Sequence, residues 1–145
     1  MATDELDDEI TTLLHQEDQR YTKGRRALVA TLRAEGQPVT IPQILDASDG
    51  LAQSSVYRNL VVLEEAGVVT RIVTNDDFAR YELAEQFTHH HHHLICSSCG
   101  DVIDFSLDDQ AEAGLDEALN EIAEQVGFTV EAHRLDLVGT CADCD

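Results

Sequence analysis

The chain has 145 residues, enough for one domain or two small ones, and its 43% hydrophobic content is sufficient for globular cores. No apolar stretch approaches the roughly 18–20 residues that span a bilayer, so an integral helical membrane protein is excluded. The net charge of −20 argues against a nucleic-acid partner in ordinary salt, but its distribution weakens that exclusion. Residues 1–19 carry seven acids and no Lys or Arg, residues 20–83 carry eight acids and eight bases, and residues 84–145 carry fourteen acids and one Arg. One Lys against eight Arg on an acid-coated surface suits concentrated, halophilic salt. There the Debye length falls to roughly 3 Å and distant repulsion is screened. DNA binding is not vetoed.

Residues 4–17 predict an amphipathic helix, with Leu6, Ile10, Leu13 and Leu14 at i, i+4, i+7 and i+8. The densest basic stretch, Arg20-Tyr21-Thr22-Lys23-Gly24-Arg25-Arg26, leads into a helix over 25–35 that buries Leu28, Val29 and Leu32. Thr40-Ile41-Pro42-Gln43 matches a capping box and opens a short helix to Ala47, before a turn at Ser48-Asp49-Gly50. Residues 52–66 predict the next helix, with Val56, Leu60 and Leu63 inward and Gly67 ending it. Its first turns present Gln53, Ser54, Ser55, Tyr57, Arg58 and Asn59, hydrogen-bonding side chains at a helix N-terminus. Strands at 68–73 and 78–83 follow, joined across Asn75-Asp76-Asp77. Helix, helix, turn, helix, hairpin is the order of a winged helix-turn-helix, in which the N-terminal residues of the recognition helix meet base edges. An ordinary solvated helix face is the rival reading of Tyr57 and Arg58.

Residues 89–93 are five consecutive histidines, running into Leu94-Ile95-Cys96-Ser97-Ser98-Cys99-Gly100. In an extended chain His91 and His93 point one way while His90 and His92 point the other, so one strand can supply two nitrogens to each of two metal sites. A purification tag is polyhistidine too, but tags sit at termini or linkers. Cys96 and Cys99 form one Cys-x-x-Cys pair and Cys141 and Cys144 another. Residues 1–20 show no secretory signal, so the thiols are expected to be reduced and to hold structural zinc rather than two disulfides. A redox dithiol is the main rival. After the knuckle, 101–105 predicts a strand, and Ser106-Leu107-Asp108-Asp109 resembles a capping box with Asp in place of Glu. The helix beyond it places Leu107, Ala111, Leu115, Leu119, Ile122 and Val126 on one buried stripe. A strand at 128–138 is expected to carry a bulge, or to be buried on both faces, near Arg134, where its apolar parity changes. His133 shares a face with Leu135 and Leu137; a lone half-buried histidine is usually structural, but with a ligand-rich strand elsewhere to pair with it is read as a further metal ligand.

Together these residues resemble the ferric uptake regulator family of metal-sensing transcriptional repressors. The resemblance runs from about Arg20 to Cys144 and rests on Ser55-Val56-Tyr57-Arg58-Asn59-Leu60, on Glu64-Glu65-Ala66-Gly67-Val68-Val69, on the histidine run with its Cys-x-x-Cys-Gly, and on His133 before Cys141. It implies a mixed α/β (α+β) chain: an N-terminal winged helix over 1–84, a hinge at 85–88, and a small C-terminal α/β dimerisation domain over 89–145. It implies a homodimer reading a palindromic double-stranded operator, with Tyr57 and Arg58 in the major groove beside Ser54 and Ser55, and Arg20 and Arg25 on the backbone or minor groove. Cys96, Cys99, Cys141 and Cys144 match the family's structural zinc site. Glu82, His91, His93 and Asp104 match its sensing site. His90, His92, His133 and a helix carboxylate match its second site, the acid being Glu112, Asp116 or Glu117, with Glu112 favoured. Where the family often has a further histidine before the third helix, this chain has Gln37-Pro38.

The sensed cation is left open. His92 stands where the family commonly has Asp, which leans toward Zn2+, whereas Asp104 is the choice of the peroxide-sensing branch, which leans toward Fe2+ or Mn2+. The expectation is therefore a cytoplasmic, metal-dependent repressor and not an enzyme, with a peroxide-responsive iron or manganese regulator as its alternative. A zinc hydrolase would need a catalytic motif such as His-Glu-x-x-His, which does not occur. A metal buffer, with the histidine run as a sponge, is the third reading.

Overall fold

A computed structural model describes residues 1–48, 50–74 and 78–144. Helix α1 (Thr3–Gln16) buries Leu6, Ile10 and Leu14 on one stripe. Helix α2 (Lys23–Glu35) starts two residues earlier than its apolar spacing suggests, because the Thr22 hydroxyl accepts from the Arg25 N–H and caps it. Strand β1 (Val39–Thr40) is too short for any periodicity to reveal and was not anticipated. Thr40 then caps α3 (Ile41–Ala47) through the expected reciprocal box: the Gln43 N–H donates to Thr40 Oγ1 and the Thr40 N–H donates to Gln43 Oε1.

Helix α4 (Gln53–Glu65) turns Val56, Leu60 and Leu63 inward and is released at Gly67, whose φ of +80° favours a residue without a Cβ. Strands β2 (Val69–Val73) and β3 (Ala79–Leu83) pair antiparallel, and β1 adds to the other edge of β3, giving the order β1-β3-β2. The expected turn residues Asn75-Asp76-Asp77, and Asp49 of the preceding turn, lie outside the described residues. One apolar core joins these elements, from Leu6 through Leu28, Ile44, Leu60 and Val68 to Phe87. Phe87 sits in a 3-10 turn, Glu85–Phe87, that leaves this unit.

The second sheet has the order β5-β4-β6. Strand β4 (His92–Cys96) pairs antiparallel with β5 (Val102–Phe105) and parallel with β6 (Asp136–Gly139), the crossover to β6 being helix α5 (Asp109–Gln125). Three expectations fail here. The cap of α5 is Asp108, which accepts from the Ala111 N–H, while the Ser106 hydroxyl donates instead to the His90 carbonyl. The strand expected over 128–138 is ordered only from Asp136, just past the parity change at Arg134. The apolar stripe expected on α5 is not buried within one chain: Leu115 and Leu119 are half-buried, Ile122 is 60% and Val126 76% exposed, and the one buried residue of the helix is Ala123, off the stripe. A stripe that finds no cover in its own chain needs a second copy of the chain, consistent with the expected dimer.

Candidate functional site

The β4–β5 connection is the thiol knuckle. The Cys96 N–H donates to the Asp101 carbonyl, the Gly100 N–H donates back to the Cys96 carbonyl, and Gly100 takes φ +79°. The chain after β6 returns to this knuckle, so Cys96, Cys99, Cys141 and Cys144 gather with every Sγ within 4.8 Å of the others. Cys99 and Cys141 Sγ are 3.8 Å apart, far beyond a disulfide and about the edge of a tetrahedron with sulfurs at roughly 2.3 Å from its centre. The Cys99 and Cys141 N–H groups both donate to Cys96 Sγ and lower its pKa to about 6. The neighbouring thiols Cys141 and Cys99 push Cys144 up to about 12. Four thiolates cannot coexist here without a cation, and the donor set fits zinc.

Alternation along β4 and the residues before it divides the histidines into two further clusters. His91 and His93 meet Glu82 of β3 and Asp104 of β5. Glu82 Oε1 lies 3.1 Å from His91 Nε2 and 2.7 Å from His93 Nε2, and Asp104 oxygens lie 3.6 and 3.4 Å from the same nitrogens. Glu82 is 7% exposed. Burial opposes its ionisation, but hydrogen bonds from His93 and His91 outweigh that and hold its pKa below the usual carboxylate value. Burial also raises Asp104, to about 6, helped by the Glu82 charge. A cleft of about 660 Å³ opens on this cluster, lined by Glu82, His91, Asp104, Phe87 and Gln37 among others. Gln37 therefore borders the place where a further histidine would have reached in.

On the opposite face, His90, His92 and His133 converge on Glu112 in the first turn of α5. Glu112 Oε2 is 2.9 Å from His92 Nε2, and Oε1 is 2.7 Å from both His90 Nε2 and His133 Nε2. Of the three candidate acids, Glu112 joins the cluster, Asp116 sits behind it at 2.9 Å from His133 Nδ1, and Glu117 is not part of the group. His133 precedes β6 rather than lying within it, so its ring is placed by Glu112 and Asp116 and not by a ladder.

Asp104 Oδ1 and Glu112 Oε1 are buried and accept no hydrogen bond, although ring nitrogens stand 2.7–3.4 Å away. In the sensing cluster the Nε2–H groups of His91 and His93 go to Glu82, which leaves Asp104 Oδ1 without a donor; wherever a neutral imidazole donates through Nδ1 instead, it turns a lone pair toward such an oxygen. Two acceptors facing each other need a proton or a metal ion between them. Both clusters meet that description, and imidazole with carboxylate suits divalent Zn, Fe or Mn.

The DNA-facing candidates lie together on the first unit. Tyr57 is 57% exposed on α4, with Ser54 and Arg58 exposed beside it and Ser55 half-buried. Arg58 Nε donates to the Ser54 carbonyl at 3.4 Å. Arg25 is half-buried and already engaged: its Nε donates to Asn59 Oδ1 at 3.1 Å and its Nη1 to the Arg20 carbonyl at 2.7 Å. It thus ties the basic segment to α4, a link that no spacing in the sequence announces, while Arg20 stays exposed.

A model of the ferric uptake regulator family matches residues 16–138. Over 148 residues the chain is 32% identical to a peroxide operon regulator of Bacillus subtilis, covering 99% of this chain and 96% of that protein. Over 142 residues it is 35% identical to a ferric uptake regulation protein of Campylobacter jejuni, covering 92% and 84%. It shares its fold with the Helicobacter pylori ferric uptake regulator, with a TM-score of 0.77 at 23% identity over 99% of this chain and 94% of that one. The chain belongs to the ferric uptake regulator family of metal-sensing transcriptional regulators.

Proposed function

We propose that this chain works as a homodimeric repressor whose grip on a palindromic operator depends on a divalent cation held by Glu82, His91, His93 and Asp104. One observation carries the reading: Glu82 belongs to β3 of the winged-helix sheet, yet its carboxylate meets two histidines from beyond the 3-10 turn. We place the winged helix at 1–84, the hinge at 85–88 and the dimerisation unit at 89–145. A bound cation would supply the charge that lets two carboxylates and two imidazoles share one centre. Glu82 would then pin the wing to β4 and favour one spacing of the two α4 helices, a population shift toward the DNA-binding dimer. Tyr57, Arg58, Ser54 and Ser55 would read the major groove, with Arg20 and Arg25 on the backbone. His90, His92, Glu112 and His133 would hold a second cation, and the four cysteines structural zinc. No catalytic activity is assigned, and we place the protein in the cytoplasm, where its operator would be; among the described residues no helix is long and apolar enough to cross a membrane.

The test is fluorescence anisotropy on palindromic promoter DNA, with and without chelator. We expect tight binding only with cation, and a Glu82→Ala variant that keeps its cysteine-bound zinc but binds weakly throughout. Affinity indifferent to both chelator and Glu82→Ala would refute the reading.

The composition of the sensing cluster favours one refinement. Two carboxylates against two imidazoles lean toward Fe2+ or Mn2+, and the Bacillus subtilis relative is named for peroxide. As a peroxide-responsive regulator, the iron-loaded protein would lose its DNA on exposure to hydrogen peroxide while the manganese-loaded protein would not. Equal resistance of both forms would leave a plain metal sensor.

A further inference from the structure

In both mixed clusters the ring nitrogen that meets the carboxylate is Nε2. The other nitrogen, Nδ1, faces outward, and in four of these histidines it has its own partner. His91 Nδ1 lies 2.8 Å from the His89 carbonyl, His93 Nδ1 3.3 Å from Asp136 Oδ1, His133 Nδ1 2.9 Å from Asp116 Oδ1, and His90 Nδ1 beside Glu85. His92 is the exception, with a buried Nδ1 that has no partner.

We propose that Asp116 and Asp136 are positioning residues: they hold His133 and His93 in the tautomer whose Nε2 lone pair faces the cation, and neither is a ligand. The inference rests on reading the two clusters as metal sites. A neutral imidazole carries one N–H, and the nitrogen that keeps it cannot coordinate. A carboxylate accepting from Nδ1–H selects the useful tautomer, fixes the ring and makes Nε2 more basic. The fold delivers both acids without a detour. Asp136 is the first residue of β6 and sits opposite His93 in the parallel register. Asp116 follows Glu112 by four residues on α5, so one helix face supplies the inner acid and, a turn later, the outer one. His133 gains most, because no strand orients it.

An ordinary ion pair is the competing account, since both acids are about half exposed and such pairs contribute little to stability. It predicts no effect on cation affinity, and the two acids act on different clusters, so each controls for the other. Zn2+ and Mn2+ affinities are measured by chelator competition on the zinc-clasped dimer, in a Glu112→Ala background for the sensing cluster and a Glu82→Ala background for the second. We expect Asp136→Ala to weaken the sensing cluster about 10–100-fold and spare the second, Asp116→Ala to do the reverse, and the Asn variants to lose less because their oxygen still accepts. Nitrogen-15 NMR of the Zn2+-loaded protein should show a hydrogen-bonded, slowly exchanging Nδ1–H at His93 and His133 in the parent and the Asn variants, and a fast-exchanging one in the matching Ala variant. Ala variants that bind like the parent, Asn variants as weak as Ala, or both clusters weakening together would overturn the proposal. A parent that binds no cation at either cluster would refute the metal reading instead, and the parent's own affinity tells the two failures apart.

Discussion

Glu82 is the residue on which both units meet, and its surroundings predict how the cation-free protein responds to pH. Hydrogen bonds from His93 and His91 overcome burial and lower its pKa, so it contributes stability above the unfolded value near 4.5 that is lost as pH falls through its lower folded value. His93 is raised by its hydrogen bond to Glu82; His91 is raised by the His89 carbonyl and Glu82, against burial. Their contribution is full below the unfolded value of 6.5 and is lost as pH rises through the higher folded values. The chelated protein should therefore resist thermal unfolding best, with its highest Tm, between about pH 4.5 and 6.5, with Glu82→Gln flattening both limbs; an unchanged profile in that variant would contradict the assignment. At this scale the alternation of five histidines was enough to foresee the two pairs, because side chains on an extended chain can only alternate. The carboxylates were not legible in the same way. Choosing Glu112 over Asp116 required knowing that the first turn of α5 lies against His90 and His133, and Asp136 acquires its partner only through the β4–β6 register.

Helices with strong apolar periods were foreseen to within a residue or two, and the differences arise from capping chemistry. Ser106 and Asp108 both suit a helix start, and Asp108 takes the role because the Ser106 hydroxyl is committed to the His90 carbonyl. Asp108→Ala should destabilise the second unit by about 1 kcal/mol, measured by denaturant unfolding, whereas Ser106→Ala should not cost a cap. Leu60, fully buried on α4, is a core contact beneath the recognition face. Leu60→Ala should cost about 2–5 kcal/mol, whereas Tyr57→Ala should weaken DNA binding and leave stability nearly unchanged. The strand expected over 128–138 failed for a physical reason. Its ladder with β4 begins only at the His93–Asp136 pair, so the residues before Asp136 have no strand partner among the described residues, and exposure does not decide it, since β6 itself is exposed throughout.

For the whole molecule, the charge map and the exposed apolar stripe assign different work to the two ends. Bases concentrate in residues 20–83, with Arg20 and Arg58 exposed around α4, while α5 and its flanks are acidic. The strongly acidic unit can turn away from DNA while the charge-balanced segment that carries the bases approaches it. Ile122 on α5 and Val126 at its C-terminal cap hold apolar side chains in solvent, the arrangement expected of a face covered by a second copy. Val126→Glu should shift the protein toward monomer in sedimentation and lose operator binding with its cysteine zinc intact; a dimer unaffected by that change would place the interface elsewhere. The central claim is that closing the Glu82 cluster on a cation sets the separation of the two recognition helices. Pulsed electron spin resonance between labels attached at Val61 of each α4, by a chemistry that spares the cysteines, measures that separation directly. The account predicts a broad distance distribution that narrows on adding cation in the parent and stays broad in Glu82→Ala. A distribution that cation leaves unchanged in the parent, or narrows equally in Glu82→Ala, would contradict it.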